Sequence, residues 1–312
     1  MIRSQRAPED VVSVEVVGGE AAAWISAAPK PAPGDASEKP TLDVEGGPGG
    51  ISRDALRELW VFREVLWAFA VRQVKVKYKQ AAIGVGWAVV QPIAAAGIFA
   101  LFLGRFANVT SEGAPYLLFA LCGTVIWTYF SGSASSAAES LVTDSALLRK
   151  VFFPREVLPL AAILAGLVDF APALATLVVA ALLYGFVPGL TWLALPLVLG
   201  IVVLFAAAFG LGLSGLNVYY RDVRYVLPFI LQLGLFASPV IYSLASVPAG
   251  WRDVCAVLNP LGAAIDGLRR IVLHDEWPQF GITFGALGWC ALLAIGGYAL
   301  FKRLERGFTD RI

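Results

Sequence analysis

The sequence predicts an all-α membrane protein with six transmembrane helices, an N-terminal amphipathic interfacial helix and short helices at the outer interface. Three observations predict it. Of 312 residues, 58% are hydrophobic and 15% are charged, where soluble domains carry about a quarter charged. The mean hydropathy is +0.73. Residues 157–220 hold a single charged side chain, Asp169. About 20 residues cross the hydrocarbon layer at the helical rise, so that stretch holds two spans and a turn.

The first element, residues 1–50, is compositionally foreign to the rest. It carries Pro29, Pro31, Pro33, Pro40 and Pro48, ends in a Gly-rich run, and mixes eight acids with four bases. Such a composition predicts a disordered tail on the cytoplasmic side. Met1–Arg6 is basic, but no apolar core follows it, so no cleavable signal is expected. Residues 51–80 follow as an amphipathic helix. Leu59, Phe62, Leu66 and Phe69 recur at helical spacing, and Arg53, Arg57, Glu64, Arg72, Lys75 and Lys79 fall largely on another face. With Trp60 and Trp67 one heptad apart, the helix suits the headgroup plane.

Residues 81–303 form the membrane domain. Spans are expected over residues 83–103 with Pro92 inside, then 115–134, 158–186, 192–216, 225–242 and 281–301. Residues 243–280 are too long for a hairpin, and two short helices dipping into the outer interface fit them. Residues 304–312 close the chain as a second cytoplasmic tail. With the amphipathic helix in the cytoplasm, sixteen Lys and Arg residues lie on that side and four, Arg105, Arg252, Arg269 and Arg270, on the other. The positive-inside bias then puts both termini in the cytoplasm.

Several function classes are excluded by composition. A net charge of +1 argues for no nucleic acid. Three cysteines, Cys122, Cys255 and Cys290, make no CxxC pair, and His274 is the single histidine, so no metal site is expected. No GxxxxGK[ST] pattern is present to cradle nucleotide phosphates. Carriers driven by protons or sodium place ionisable groups in several spans. Here only Asp169 stands in one, and it reads as a helix–helix hydrogen-bonding residue before a relay. A transport function therefore needs a motor on another chain, with no cofactor in this one. The loop 137–156 suits a motor contact. Asp144-Ser145 caps a short helix, Leu147, Leu148, Val151 and Phe152 give it an apolar side, Arg149 and Lys150 face out, and Pro154 ends it. A basic loop that touches only headgroups fits the same residues.

Five stretches, in order, carry a family resemblance. They are Val76-Lys77-Tyr78-Lys79-Gln80 with Ile83-Gly84-Val85-Gly86-Trp87-Ala88 and Gln91-Pro92; Leu147 through Arg155; Leu216 through Tyr225; Ala237 through Tyr242; and Asn259-Pro260 with Asp266-Gly267-Leu268-Arg269. From about Leu56 to Ile312 the chain resembles the permease subunit of ABC-2 type polysaccharide exporters, which move lipid-linked O-antigen, capsule polysaccharide or teichoic acid across the inner membrane. The resemblance implies a homodimer with two ATP-binding cassette subunits, which hold the ATP and Mg, and with lipid-linked polysaccharide as cargo. It makes Asp144, Leu147, Leu148, Arg149, Lys150 and Phe152 the coupling loop. Tyr220, Arg221, Asp222 and Arg224 become a second cytoplasmic contact, anchored by local ion pairs. Residues 248–274 become outward-side gate helices. Aromatic rings offer apolar faces to sugar C–H groups, so Trp127, Tyr129, Phe130, Phe229, Phe236 and Tyr242 are candidates for the path. Lys75, Lys77, Tyr78 and Lys79 are candidates for a lipid-diphosphate headgroup, and a plain basic anchor suits them equally. Two rivals stay open. One is an exporter of drugs or small lipids. The other is a membrane-bound transferase using Asp253, Asp266, Asp275 and Glu276.

Overall fold

The computed structural model describes residues 60–79, 84, 86–148 and 153–308. The tail 1–50, the start of the amphipathic helix and the last four residues lie outside them. The described residues fall within the compact unit Pro48–Ile312.

Ten α-helices are described: α1 (Arg63–Tyr78), α2 (Gly86–Phe99), α3 (Tyr116–Thr143), α4 (Ser145–Leu148), α5 (Val157–Leu183), α6 (Leu195–Tyr219), α7 (Val223–Ala237), α8 (Ala249–Leu258), α9 (Pro260–Arg269) and α10 (Phe280–Glu305). α2 continues as a π-helical stretch to Phe106, and a 3-10 turn, Leu190–Ala194, leads into α6. Among the described residues, five segments are long and apolar enough to cross a membrane: Gly86–Phe106, Tyr116–Thr143, Val157–Leu183, Leu190–Tyr219 and Phe280–Glu305. The span expected over 225–242 is instead the 15-residue α7. Fifteen residues reach only about 22 Å, short of the hydrocarbon thickness. Ser238 turns the chain to extended backbone (ψ 148°), as a residue before proline prefers.

α3 differs from expectation at its other end. It runs unbroken to Thr143, past the expected stop at residue 134. No proline lies between Pro115 and Pro154 to end it. The first half of the expected motor loop is therefore helix.

The core is built on α3. Leu118, Phe119, Val125, Ile126, Phe130, Ala134 and Ala137 are buried on it, against α5, α6 and α9. Phe130 stacks on Phe205 of α6 with ring centroids 4.9 Å apart. A second apolar cluster gathers Phe153, Val157, Leu158, Phe301 and Phe308, and Phe62, Val65, Leu66 and Phe69 pack on it from α1. The apolar face foreseen for the amphipathic helix thus meets protein, while Trp60 and Trp67 stay exposed. Leu183, Val187, Leu190 and Leu193 are more than 70% exposed at the α5–α6 turn. Such a patch belongs in lipid, not water.

One close approach fixes the inner layer. A Cβ on Gly123 would sit 2.5 Å from the carbonyl oxygen of Val240, a backbone atom that cannot rotate away. Gly123→Val is therefore expected to lower stability by about 2 kcal/mol. Thermal unfolding of the purified chain measures it, and Gly132→Val, where nothing lies within 4 Å, is the control.

The bundle has a basic end and an opposite end. At the basic end, Arg155 donates to the carbonyl of Glu305 (3.0 Å) and Tyr219 to that of Leu304 (3.0 Å). Glu156 at the head of α5 is fully buried and pairs with Lys302 of α10 at 3.0 Å. At the opposite end, Tyr116 donates to the carbonyl of Ile241 (2.5 Å) and Thr191 to Asp275 (2.6 Å). Arg269 is 2% exposed there and lies outside the five spans. It donates to the carbonyls of Phe119 (3.3 Å), Tyr242 (3.0 Å) and Val240 (2.7 Å), with its guanidinium 3.4 Å from the Phe119 ring centre. Burial pulls its pKa down to about 10, so it remains cationic at neutral pH.

Candidate functional site

The site lies at the basic end, where α1 crosses the bundle. Asp169 of α5 accepts hydrogen bonds from Lys77 Nζ and Tyr78 Oη, both from the last turn of α1. The expected helix–helix role of Asp169 is the one observed, with partners from a helix that does not span. One α1 turn back, Arg72 donates to Asp144 at 2.9 Å. α1 is thus tied at one point to a span and at another to the head of the expected motor loop. Charged pairs of this exposure contribute little stability, about 0–1 kcal/mol each. Their value is positional.

Between these ties opens a cavity of about 640 Å³, walled by α1, α2, α3 and α5. One face of α3 lines it. Thr128, Gly132, Ser136, Glu139 and Thr143 recur at helical spacing on that face. Gly132, Ser136, Glu139 and Thr143 are exposed into it. A polar stripe on a membrane-spanning helix faces water or protein, not lipid. On α2, Trp87 is 51% exposed and lines the same space with Gln91. Gly166 lets α5 pass close to α3, since a Cβ there would strike the Ser133 hydroxyl. That hydroxyl is buried and lines the cavity beside Tyr129.

The residues singled out from the sequence are redistributed. Asp144 does not cap α4 through its side chain. Its carboxylate is taken by Arg72, and its backbone carbonyl receives the N–H groups of Leu147 (3.0 Å) and Leu148 (3.4 Å). Leu148 packs on the second apolar cluster. Arg149, Lys150 and Phe152 lie outside the described residues. Tyr220, Arg221, Asp222 and Arg224 are exposed together at the α6–α7 turn. The expected local ion pairs are not formed among them. Arg224 instead donates to Tyr225 Oη at 2.8 Å, with its guanidinium 4.8 Å from that ring. A flat aromatic neighbour holds a guanidinium without a carboxylate.

Of the six aromatic candidates, Tyr129 and Phe130 are core residues, 6% and 3% exposed. Tyr129 edges the cavity with part of its ring. Trp127 packs against Phe130 at 5.8 Å. Phe229 and Phe236 lie exposed on α7, and Tyr242 donates to the carbonyl of Ala237 at 3.2 Å. They do not form one lining. Lys75 and Lys79 are exposed on α1, whereas Lys77 and Tyr78 are engaged by Asp169 and turned into the cavity wall. Three of the four outer-loop acids are engaged in the fold, and Asp253 is exposed on α8. Asp266 and Glu276 both pair with Arg270 (2.8 and 3.1 Å), and Asp275 accepts from Thr191. His274 lies 3.7 Å from Glu112, a partner not apparent from the sequence. The cavity face of α3 was also missed. Its signal was present in the spacing of Gly132, Ser136 and Glu139, hidden because the span was expected to end at residue 134, between Gly132 and Ser136.

Residues 64–273 match the family model described as ABC-2 type transporter. An O-antigen export system permease protein RfbA of Myxococcus xanthus is 25% identical over 260 residues, covering 82% of this chain and 98% of that protein. A protein of the same name from Klebsiella pneumoniae is 25% identical over 252 residues, covering 79% and 94%.

Proposed function

Because the chain belongs to the ABC-2 type transporter family, we propose that it is the membrane subunit of an ATP-driven exporter of lipid-linked polysaccharide, with O-antigen as cargo. The single observation that carries the reading is the similarity to proteins named O-antigen export permeases along nearly their whole length. In this reading the chain works as a homodimer in the inner membrane with both termini in the cytoplasm. The basic end is the cytoplasmic end. Two ATP-binding subunits hold ATP and Mg, and the chain itself performs no covalent chemistry.

The mechanism follows from the two ties of α1. Closure of the ATP-binding subunits moves the loop after α3. Asp144 passes that motion to Arg72, and α1 passes it through Lys77 and Tyr78 to Asp169 on α5. A capsule or teichoic acid cargo would use the same device.

The test is export in vesicles by the complex with its ATP-binding subunit. A polyprenyl-diphosphate-linked glycan is expected to cross in an ATP-dependent manner, and small amphiphilic drugs are not. Transport of the drugs alone, or transferase activity of the purified chain, overturns the reading. In the same assay, Arg72→Glu is expected to slow export about tenfold at little cost in folding, since an exposed pair stabilises weakly. Adding Asp144→Arg is expected to restore most of it.

A further inference from the structure

The cavity between α1, α2, α3 and α5 has a chemistry that the sequence-based headgroup assignment does not match. Its described lining holds two cations, Arg72 and Lys77, and three acids, Glu139, Asp144 and Asp169. Both cations are already paired to acids. Glu139 is left over, exposed in the space and without an ion pair among the described residues. Among the described residues, a diphosphate entering here would meet a surplus carboxylate and no unpaired cation on the wall. Like charges at such range repel.

The remaining lining suits a different ligand. Gln73 and Gln91 each offer a donor and an acceptor. Ser136 adds an exposed hydroxyl, and Ser133 adds a buried one beside Tyr129. Trp87 presents an exposed ring at the wall. A free carboxylate, amides, hydroxyls and one flat apolar face together bind a ring with many hydroxyls and C–H faces. At about 640 Å³ the space holds one to two such rings.

We propose that this cavity is a subsite for a neutral, polyhydroxylated group, a sugar ring of the transported glycolipid. Glu139 accepts its hydroxyls, Gln73, Gln91 and Ser136 complete the hydrogen bonds, and Trp87 covers an apolar face. The inference rests on the exporter reading only for the identity of the molecule that brings the sugar. The diphosphate lies outside, toward the exposed Lys75 and Lys79.

The test uses the full chain in lipid nanodiscs, carrying Gly132→Cys as reporter and Cys255→Ser to remove the exposed native thiol. Gly132 has open space around it, so the new thiol is expected to react with a water-soluble maleimide. Three probes with one decyl chain then separate the ligand classes: decyl maltoside below self-association, decyl phosphate and decyltrimethylammonium. Only the maltoside is expected to protect the thiol. Glu139→Ala is expected to raise the concentration needed about tenfold, as loss of one charge-assisted hydrogen bond does. An unreactive thiol, equal protection by all three, or stronger protection by the phosphate or the ammonium overturns the inference. A second arm measures export by the complex. Gly132→Leu has room to fill the cavity and is expected to slow glycolipid export severalfold. Export at the wild-type rate in both Gly132→Leu and Glu139→Ala overturns the inference and leaves the exporter reading standing. Selective maltoside protection in the reporter chain, with a wild-type complex that exports no glycolipid, supports the subsite and removes the exporter reading.

Discussion

Replacing Arg269 with leucine is expected to lower the stability of the folded chain by about 4 kcal/mol. The side chain is almost wholly buried, and its three guanidinium nitrogens each meet a different backbone carbonyl, on α3 and on the stretch after α7. The carbonyls of Val240 and Tyr242 follow the end of α7, where no helix supplies their partners, while that of Phe119 lies in the first turns of α3. Leucine fills part of the volume and leaves the acceptors dry, at about 1–3 kcal/mol for each one fully desolvated. Arg269→Lys is not expected to rescue. An ammonium is a point donor and cannot span three carbonyls as the planar fork does. Thermal unfolding in nanodiscs reads the effect, and yield of folded protein is expected to fall with it. A lysine variant as stable as wild type would show that charge alone, rather than the fork, holds the junction.

Lys302→Ala is the second large effect. Glu156 is fully buried at the head of α5, and Lys302 lies 3.0 Å from its carboxylate. Tyr298 is the other contact, at 3.4 Å. Removing the lysine leaves a buried carboxylate with one long hydrogen bond among the described residues, which costs about 3–5 kcal/mol. The double variant Glu156→Leu with Lys302→Met is expected to recover most of that loss, because two apolar side chains need no charge solvation. Unfolding midpoints of the two variants decide it. If the double variant is no more stable than Lys302→Ala, the pair contributes through geometry that leucine and methionine do not reproduce. The pair lies beside the cluster on which Phe62, Leu66 and Phe69 of α1 dock. Its loss is therefore expected to loosen α1 as well.

The all-helical membrane class was readable from the residues because it depends on properties a segment has alone. An apolar run of about 20 residues partitions into lipid whatever its neighbours are, and a lysine-rich segment stays out of it. The spans at 158–186, 192–216 and 281–301 were placed within a few residues for that reason, and the inward face of the amphipathic helix followed from its period. The end of α3 was misplaced because the expected span closes at about the length the hydrocarbon layer needs, whereas a helix ends where a proline, a cap or a turn ends it. The span expected at 225–242 fell short for a related cause. Hydropathy continues through Ser238-Pro239, but the backbone does not.

The candidate site was harder to read. Lys77, Tyr78 and Asp169 were each noticed, yet their pairing joins residues 91 and 92 positions apart. Arg269 was counted as one of four outer cations, and its burial follows from a carbonyl 150 positions away. Glu139 looked like a loop acid until α3 carried it into a cavity wall. Partition into lipid is a one-body property, written in each segment's own composition. Pairing, burial and the net charge of a cavity are many-body properties, set when α1, α2, α3 and α5 come together. The chain therefore declares in its residue order that it spans a membrane, while the packed bundle sets which of its acids is left unpaired among the described residues at the cavity wall.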